Sequence, residues 1–474
     1  MYTGPVPHFW SSFDVAATIQ EYCPPPLFFE RIHKMPRAAL RAVQEKRFLE
    51  LMERGWKIPF FKRHWQAAGL EPGDIRSLAD LKKLPPYDVD DIRKSIESKP
   101  PWGDFLGIDP TMGMPMVLQT SGGTTGLPRP QIYAPRDREI MGILGGRRLA
   151  MHGVQPGDVV QSTYSLNLSN GGFAAREALW KYSGALPVMT GSGNATPTRR
   201  QIEIMKAWGV NVLLGFPSYV RHLAQVARDE MGIEPRSLNL KLIGSHIGME
   251  DRAGIEELWG ARCQDMYGTN EAGVIACDCD HRMGMHVQED ATIVEIIDPE
   301  TGKDVPDGER GTIYLTTLFK HYGPQIRFNI NDISAWMAGE CACGGSQRRI
   351  ERIFGRGDNM VKLRGVNIFP EAIGALVAED ARATGEYFCI VDRVGASGRE
   401  EMTVLVEVRG DDIDRASLQA ALEARFKDAL GVKIEARPMA RGELDPFTGV
   451  SQTSKIKRLL DKRRSATDPA TGAT

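Results

Sequence analysis

The chain has 474 residues, 25% of them charged and 42% hydrophobic, with a formal net charge of −2. That length gives room for about two to four domains with ample core, and the near-neutral balance excludes bulk electrostatic attraction to nucleic acid or to an anionic membrane. The N-terminal MYTGPVPHFWSSFDVAATIQ lacks a basic start followed by an apolar run, and no apolar stretch reaches the roughly 20 residues of a membrane helix, so the expectation is a cytoplasmic enzyme or binding protein.

The first 100 residues read as mainly helical: PRAALRAVQEKRFLELMERG repeats apolar residues at three and four, and the proline joints CPPP and LPPY punctuate it. From about 115 to 275 short apolar runs (GMPMVLQT, VNVLLGF, LKLIGSH) alternate with helix-like segments (RQIEIMKAW, PSYVRHLAQVARDE, MEDRAGIEELWG). That alternation predicts an α/β sheet with covering helices. ATIVEIIDPETGKDVPDGERGTIYLTTL, over 291–318, is two β-rich runs around turn dipeptides and predicts an antiparallel hairpin. After FGRGDNMVKLRG comes a smaller α+β pattern, with strands at EYFCIVDRV and EMTVLVEVRG, a helix at DRASLQAALEARFKDALG and a strand at VKIEARPMA. A boundary near 355–360 follows, giving a large domain 1–357 and a small one 358–474. The tail RRSATDPATGAT has no apolar anchors and reads as disordered.

LQTSGGTTGLPRP, residues 118–130, follows an apolar run as a strand-to-loop phosphate site does. Its glycines leave backbone N–H groups able to point at phosphate, and Ser121, Thr124 and Thr125 add hydroxyls. It is not a Walker loop, because the Gly-Lys-Ser/Thr ending is absent. An ordinary surface turn is the alternative for the loop taken alone. The seven cysteines include two C-x-C pairs, Cys277/Cys279 and Cys341/Cys343. In a cytosolic chain such pairs read as metal ligands before disulfides.

Three further stretches weigh on the loop: DMYGTNEAG (265–273), IRFNINDIS (326–334) with Arg327 and Asp332, and IFGRGDNMVKLRGVNIFPEAI (353–373). In this order, with the 291–318 hairpin, they resemble the adenylate-forming superfamily over nearly the whole chain. RGVNIFPEAI and ECACGG resemble its phenylacetate–CoA ligase branch. The resemblance implies a large N-terminal adenylation domain with mixed sheets and a small mobile C-terminal α+β domain. It implies an AMP-forming acid–CoA ligase: a carboxylate attacks the α-phosphate of Mg-ATP, then CoA thiol attacks the acyl-adenylate.

By the same resemblance Ser121, Gly122, Gly123, Thr124, Thr125 and Gly126 hold the ATP phosphates. Tyr267 stacks on adenine with Ser245, His246 and Ile247 on its other side, and Asp265, Gly268, Thr269 and Asn270 belong to the same nucleotide stretch. Glu271 meets Mg²⁺, Asp332 accepts from the ribose hydroxyls, and Arg356 contacts the nucleotide. Lys455, in SQTSKIKRLL, bridges carboxylate and α-phosphate, the alternative being a solvated lysine of a basic tail. Asp358 is the hinge, flanked by permissive glycines, or else an ordinary interdomain turn. Three positions depart from the family: Gly122 at a usual hydroxyl, Leu127 at a common lysine, and Asn270 at a usual serine or threonine.

Cys279, His286, Cys341 and Cys343 make a closed tetrahedral Zn²⁺ set of structural type, matching the branch's Cys…Gly-x-His and C-x-C-G pattern. Cys277 and His281 are substitutes within the same loop, and reduced cysteines without metal are the alternative. The acid is expected near Tyr164, Ser169, Phe216, Ser218, Tyr219 and Gly248. Leu166 and Ser169 stand where phenylacetate-type ligases are aromatic, which favours a small branched 2-hydroxy acid such as 2-hydroxyisobutyrate, its hydroxyl bonded by Tyr164. An aromatic acid is the runner-up, and a non-catalytic nucleotide-binding scaffold the reading from another class. Monomer and homodimer both stay open.

Overall fold

The structure is a computed structural model that describes residues 8–111, 113–121, 129–357, 359–364, 366–394, 399–450 and 457–463. Gly122, Gly123, Thr124, Thr125, Gly126, Leu127, Asp358, Lys455 and the tail beyond 463 lie outside the described residues. The chain divides into two compact units. The first comprises Met1–Ser162, Leu166–Met189 and Gln264–Glu351, the second Thr163–Ser165, Thr190–Cys263 and Arg352–Thr474. The small C-terminal segment therefore groups with 190–263.

In the first unit the N-terminal region is helical, as its periodicity predicts, with helices Val15–Tyr22, Arg37–Gly55, Pro59–Ala67 and Val89–Ser98. Leu40, Phe48, Leu51 and Met52 place one apolar face of Arg37–Gly55 in the core. The helix Pro135–Met151 is buried along nearly its whole length. It packs closely on Asn170–Tyr182 because Gly145 and Gly146 leave no side chain in the way: a Cβ there meets Ala178 Cβ at 2.6 Å and Tyr182 Cβ at 2.4 Å. The unit's antiparallel strands follow the order Thr292–Ile297, Arg310–Thr317, Phe328–Met337, Arg349–Ile350, Met285–Val287, Gly273–Cys277, Arg262–Thr269. The expected hairpin opens that order, in register from Thr292↔Thr317 to Ile297↔Thr312. The run before the glycine loop differs from expectation. Val117–Thr120 pairs antiparallel with Pro130–Tyr133 in a separate two-stranded sheet.

In the second unit Val212–Leu214 and Leu242–Ser245 run parallel, joined by a crossover that contains helix Pro217–Gln225. The C-terminal part is α+β: a four-stranded sheet in the order Glu435–Met439, Arg399–Val408, Ala383–Val394, Leu459–Asp461, with helices Pro370–Ala378 and Arg415–Leu430. Leu418, Leu422 and Phe426, four apart on Arg415–Leu430, enter one core with Met402, Val404 and Val406. Burying each contributes about 2 kcal/mol. Asp414 caps the start of that helix, accepting from the N–H of Ala416 and Ser417, and Gly431 ends it at φ +70°. Among the described residues no helix is long and apolar enough to cross a membrane.

Candidate active site

The glycine loop is closed at its base by backbone. Ser121 N–H donates to the Arg129 carbonyl (3.0 Å), and Thr120 pairs with Pro130. Thr120 also bridges to Ser169, the exposed N-cap position of helix Asn170–Tyr182, so this expected acid-binding residue sits beside the loop stem. Asn270 Nδ2 donates to the Thr120 carbonyl at 3.3 Å, tying the 267–271 stretch to the same stem.

Glu271 is buried and ion-paired with Arg129, whose guanidinium also donates to the Gln131 amide oxygen at 2.6 Å. Burial opposes ionisation of Glu271, but the Arg129 charge and hydrogen bond outweigh it and hold the carboxyl below its usual range. Lys320, just beyond the strand Arg310–Thr317, belongs to the same charge group and is fully buried. Sequence patterns single out neither Arg129 nor Lys320. A cation directly after a glycine run is the available signal for the first, and Lys320 carries none.

Tyr267 and Asp332 are both buried, and the Tyr267 hydroxyl donates to Asp332 Oδ2 at 2.7 Å. The expected adenine and ribose residues thus adjoin each other. Gly268 sits at a register shift where a Cβ would meet the Gly273 carbonyl at 2.5 Å, so glycine is required there. Thr269 Oγ1 is buried without a partner among the described residues. Asp265 Oδ1 accepts from Met266 N–H, and its own N–H donates to Asp278.

In the second unit Phe216 stacks on His246 with centroids 5.4 Å apart, and Tyr164 meets Phe216 edge-on at 5.1 Å. His246 therefore keeps company with two expected acid residues, a grouping that differs from its assignment to the adenine. Ser245 donates its hydroxyl to the Gly215 carbonyl (2.7 Å), which leaves its backbone, rather than its side chain, for a ligand. The buried Tyr219 hydroxyl is engaged by Gln201 Nε2 (2.9 Å) and Thr198 Oγ1 (3.2 Å), a brace between helices. Ser218 is buried in the same helix, and Gly248 has φ +53° with a Cβ position 3.1 Å from the Ile353 carbonyl. Arg356 is half-buried, and its carbonyl accepts from Asn359 and Met360.

The donor atoms of Cys279, His286, Cys341 and Cys343 all lie within 4.8 Å of one another. Cys279 and Cys341 sulfurs are 3.5 Å apart, and Cys343 Sγ is 3.4 Å from His286 Nε2. The strands Gly273–Cys277, Met285–Val287 and Arg349–Ile350 bring these loops together. Cys277 points instead into the core, its sulfur 3.7 Å from Met151 Sδ, and His281 is exposed; neither belongs to the group.

The family model "AMP-binding enzyme" matches residues 67–319, and "AMP-binding enzyme C-terminal domain" matches 365–463. The phenylacetate-coenzyme A ligase of Thermus thermophilus is 29% identical over 92% of this chain and 100% of its own. That of Aromatoleum evansii is 29% identical over 93% and 98%. The solved structure of a 2-hydroxyisobutyryl-CoA ligase in the postadenylation state, in complex with 2-HIB-AMP, superposes with a TM-score of 0.81 at 25% identity, covering 91% of this chain and 92% of that one. With the expected motif order and fold both present, the chain belongs to the AMP-binding enzyme family, in its phenylacetate–CoA ligase-like branch, and is an acid–CoA ligase.

Proposed function

We propose that the acid is a short branched 2-hydroxy acid such as 2-hydroxyisobutyrate. The observation that carries the reading is the cluster of Tyr164, Phe216 and His246, a compact aromatic wall with two polar-tipped rings. Such a wall suits a small acid with one hydroxyl better than a flat ring, and a site built to bond a hydroxyl rejects analogues lacking it. Similarity to the 2-hydroxyisobutyryl-CoA ligase structure supports it. An aromatic acid remains the second reading, favoured by the phenylacetate ligases among the relatives.

In the first half-reaction a carboxylate oxygen bonds to the α-phosphorus of ATP as the bond to the β-phosphate breaks, releasing pyrophosphate. In the second the CoA thiol bonds to the acyl carbon and AMP leaves. The 121–126 loop and the 267–271 stretch take the nucleotide, Asp332 the ribose, and Lys455 the charge developing between carboxylate and phosphate. Glu271, buried and ionised, has the chemistry of a Mg²⁺ ligand, and the metal supplies charge neutralisation to the polyphosphate. Residues 358–474 form the small domain that carries Lys455, with Asp358 as its hinge.

The cysteine–histidine group is assigned to a structural Zn²⁺. Its donors fit: tetrahedral zinc–sulfur bonds place sulfurs about 3.8 Å apart, His286 Nδ1 is buried without a described partner, and burial holds the imidazole neutral, with its pKa down to about 3. Four protein ligands leave no open position for substrate.

The test is AMP formation with Mg-ATP, CoA and a panel running from lactate and 2-hydroxyisobutyrate to benzoate and phenylacetate. The wild type should favour the branched hydroxy acid. Tyr164→Phe should lower kcat/KM for hydroxy acids about tenfold or more while sparing isobutyrate. Equal loss for every acid, or a wild-type preference for phenylacetate, would refute the hydroxyl-binding reading.

A further inference from the structure

Lys320 is 1% exposed, and its ammonium makes no hydrogen bond or ion pair among the described residues. The two carboxylates that face it are engaged elsewhere. Asp137, itself fully buried, accepts the backbone N–H groups of His321 (3.1 Å to each oxygen) and Tyr322 (3.3 Å). Glu271 is held by Arg129. The Tyr133 ring centroid lies 5.5 Å from Lys320 Nζ, and the hydroxyl of that tyrosine is fixed on the Asn270 carbonyl (2.7 Å). An ammonium taken out of water with no anion in contact is costly, and burial pulls its pKa down. Asp137 grips the backbone on the C-terminal side of Lys320 and so holds the lysine in this costly position. A fold keeps such a group where an anion arrives to meet it.

A second unfinished cation stands in the same group. Arg129 Nε is buried with no partner among the described residues, and Arg129 closes the stem of the glycine loop. Lys320, contributed by a different strand end, thus stands as an uncommitted cation buried beside Glu271.

We propose that Lys320 is the phosphate-contacting cation of the adenylation step, meeting the β- and γ-phosphates of ATP and holding pyrophosphate as it departs. This rests on the reading that Glu271 and the glycine loop serve the nucleotide. When the carboxylate oxygen bonds to the α-phosphorus, the electron pair of the breaking phosphoanhydride bond ends on a pyrophosphate oxygen, and no proton is transferred. The charge gathering on that leaving group is what a dry, fixed ammonium stabilises. A polyphosphate is favoured over the acid's single carboxylate because two cations and a metal ligand converge here.

The experiment compares wild type, Lys320→Met and Lys320→Arg in three assays: calorimetric binding of Mg-pyrophosphate alone, ATP–pyrophosphate exchange, and thioester formation from supplied acyl-adenylate and CoA. Lys320→Met should weaken Mg-pyrophosphate binding and raise KM for ATP by about tenfold or more, while thioester formation stays within about twofold. Lys320→Arg should retain most of the pyrophosphate affinity. Should Lys320→Met fail to fold, Lys320→Gln with Asp137→Asn removes two opposite charges together and carries the same expectation. Equal pyrophosphate binding by wild type and variant, no binding by the wild type, a rise confined to KM for the acid, or a parallel fall of both half-reactions each overturns the assignment. The calorimetric arm needs no acid, so a wild type that binds Mg-pyrophosphate but turns over none of the acid panel counts against the proposed function and not against Lys320.

Discussion

Arg129 and Glu271 each have side chains 7% exposed, so their pairing is a buried one and not a surface ornament. The attraction of such a pair is largely cancelled by the desolvation of both ions, but removing one partner leaves the other stranded. Arg129→Met should therefore destabilise the chain by about 3 kcal/mol, read as a lower urea midpoint at unchanged m-value. Arg129→Lys should recover part of that loss without the second hydrogen-bonding arm. A midpoint unchanged by Arg129→Met would mean that water reaches Glu271 and that the pair is solvated. Glu271 is legible in the sequence because YGTNE carries it in a motif. Arg129 and Lys320 are not, because nothing local distinguishes a lysine after an apolar strand from a solvated one. Only the three-dimensional closure of Tyr133, Asp137 and Glu271 around Lys320 makes it unusual. The same limit applies to Tyr219: nothing beside FPS shows that Gln201, on a different helix, engages its hydroxyl.

At the scale of elements, the cysteine–histidine group joins the ends of three short pieces of an antiparallel sheet. Met285–Val287 has three residues and Arg349–Ile350 two, and each pairs through only two registered positions at their junction. Strands this short depend on what fastens their loops. Removing zinc with a strong chelator should thus lower Tm by several degrees, and Cys341→Ser should purify with less than stoichiometric zinc by elemental analysis. Zinc-free wild type melting at the same temperature would refute the structural role. The donor set is legible from spacing, yet the choice of Cys279 over Cys277 is not. It is settled by where the strand ends: Cys277 is its last residue and packs inward against Met151, whereas Cys279 lies beyond it, in the loop. Periodicity likewise marks the C-terminal strands and helix, whose apolar residues fall on single faces. The partner of Val117–Thr120 escapes it, because antiparallel pairing leaves no trace in the strand's own pattern.

For the whole molecule, the question is how one chain runs two different reactions on one acyl group. The C-terminal strands and helices have a closed hydrophobic core of their own, built from Val404, Val406, Leu418, Leu422 and Phe426 with Val391 and Ile434. A segment with its own core can change position as a body without unfolding. Lys455 precedes in sequence the strand Leu459–Asp461, which pairs with Ala383–Val394. On the proposed reading, in which Lys455 meets the charge building between carboxylate and α-phosphate, it helps that step and has no work in the attack of a thiol on an adenylate already made. Lys455→Ala should therefore lower ATP–pyrophosphate exchange by about two to three orders of magnitude while leaving thioester formation from supplied acyl-adenylate within about threefold. The split matters more than the size. Lys320→Met is expected to show the same split but with weakened pyrophosphate binding, whereas Lys455→Ala should bind Mg-pyrophosphate as the wild type does. If both variants lost pyrophosphate binding, the two lysines would be acting on the same phosphates. If Lys455→Ala slowed both half-reactions equally, its segment would be serving the fold rather than the first chemical step.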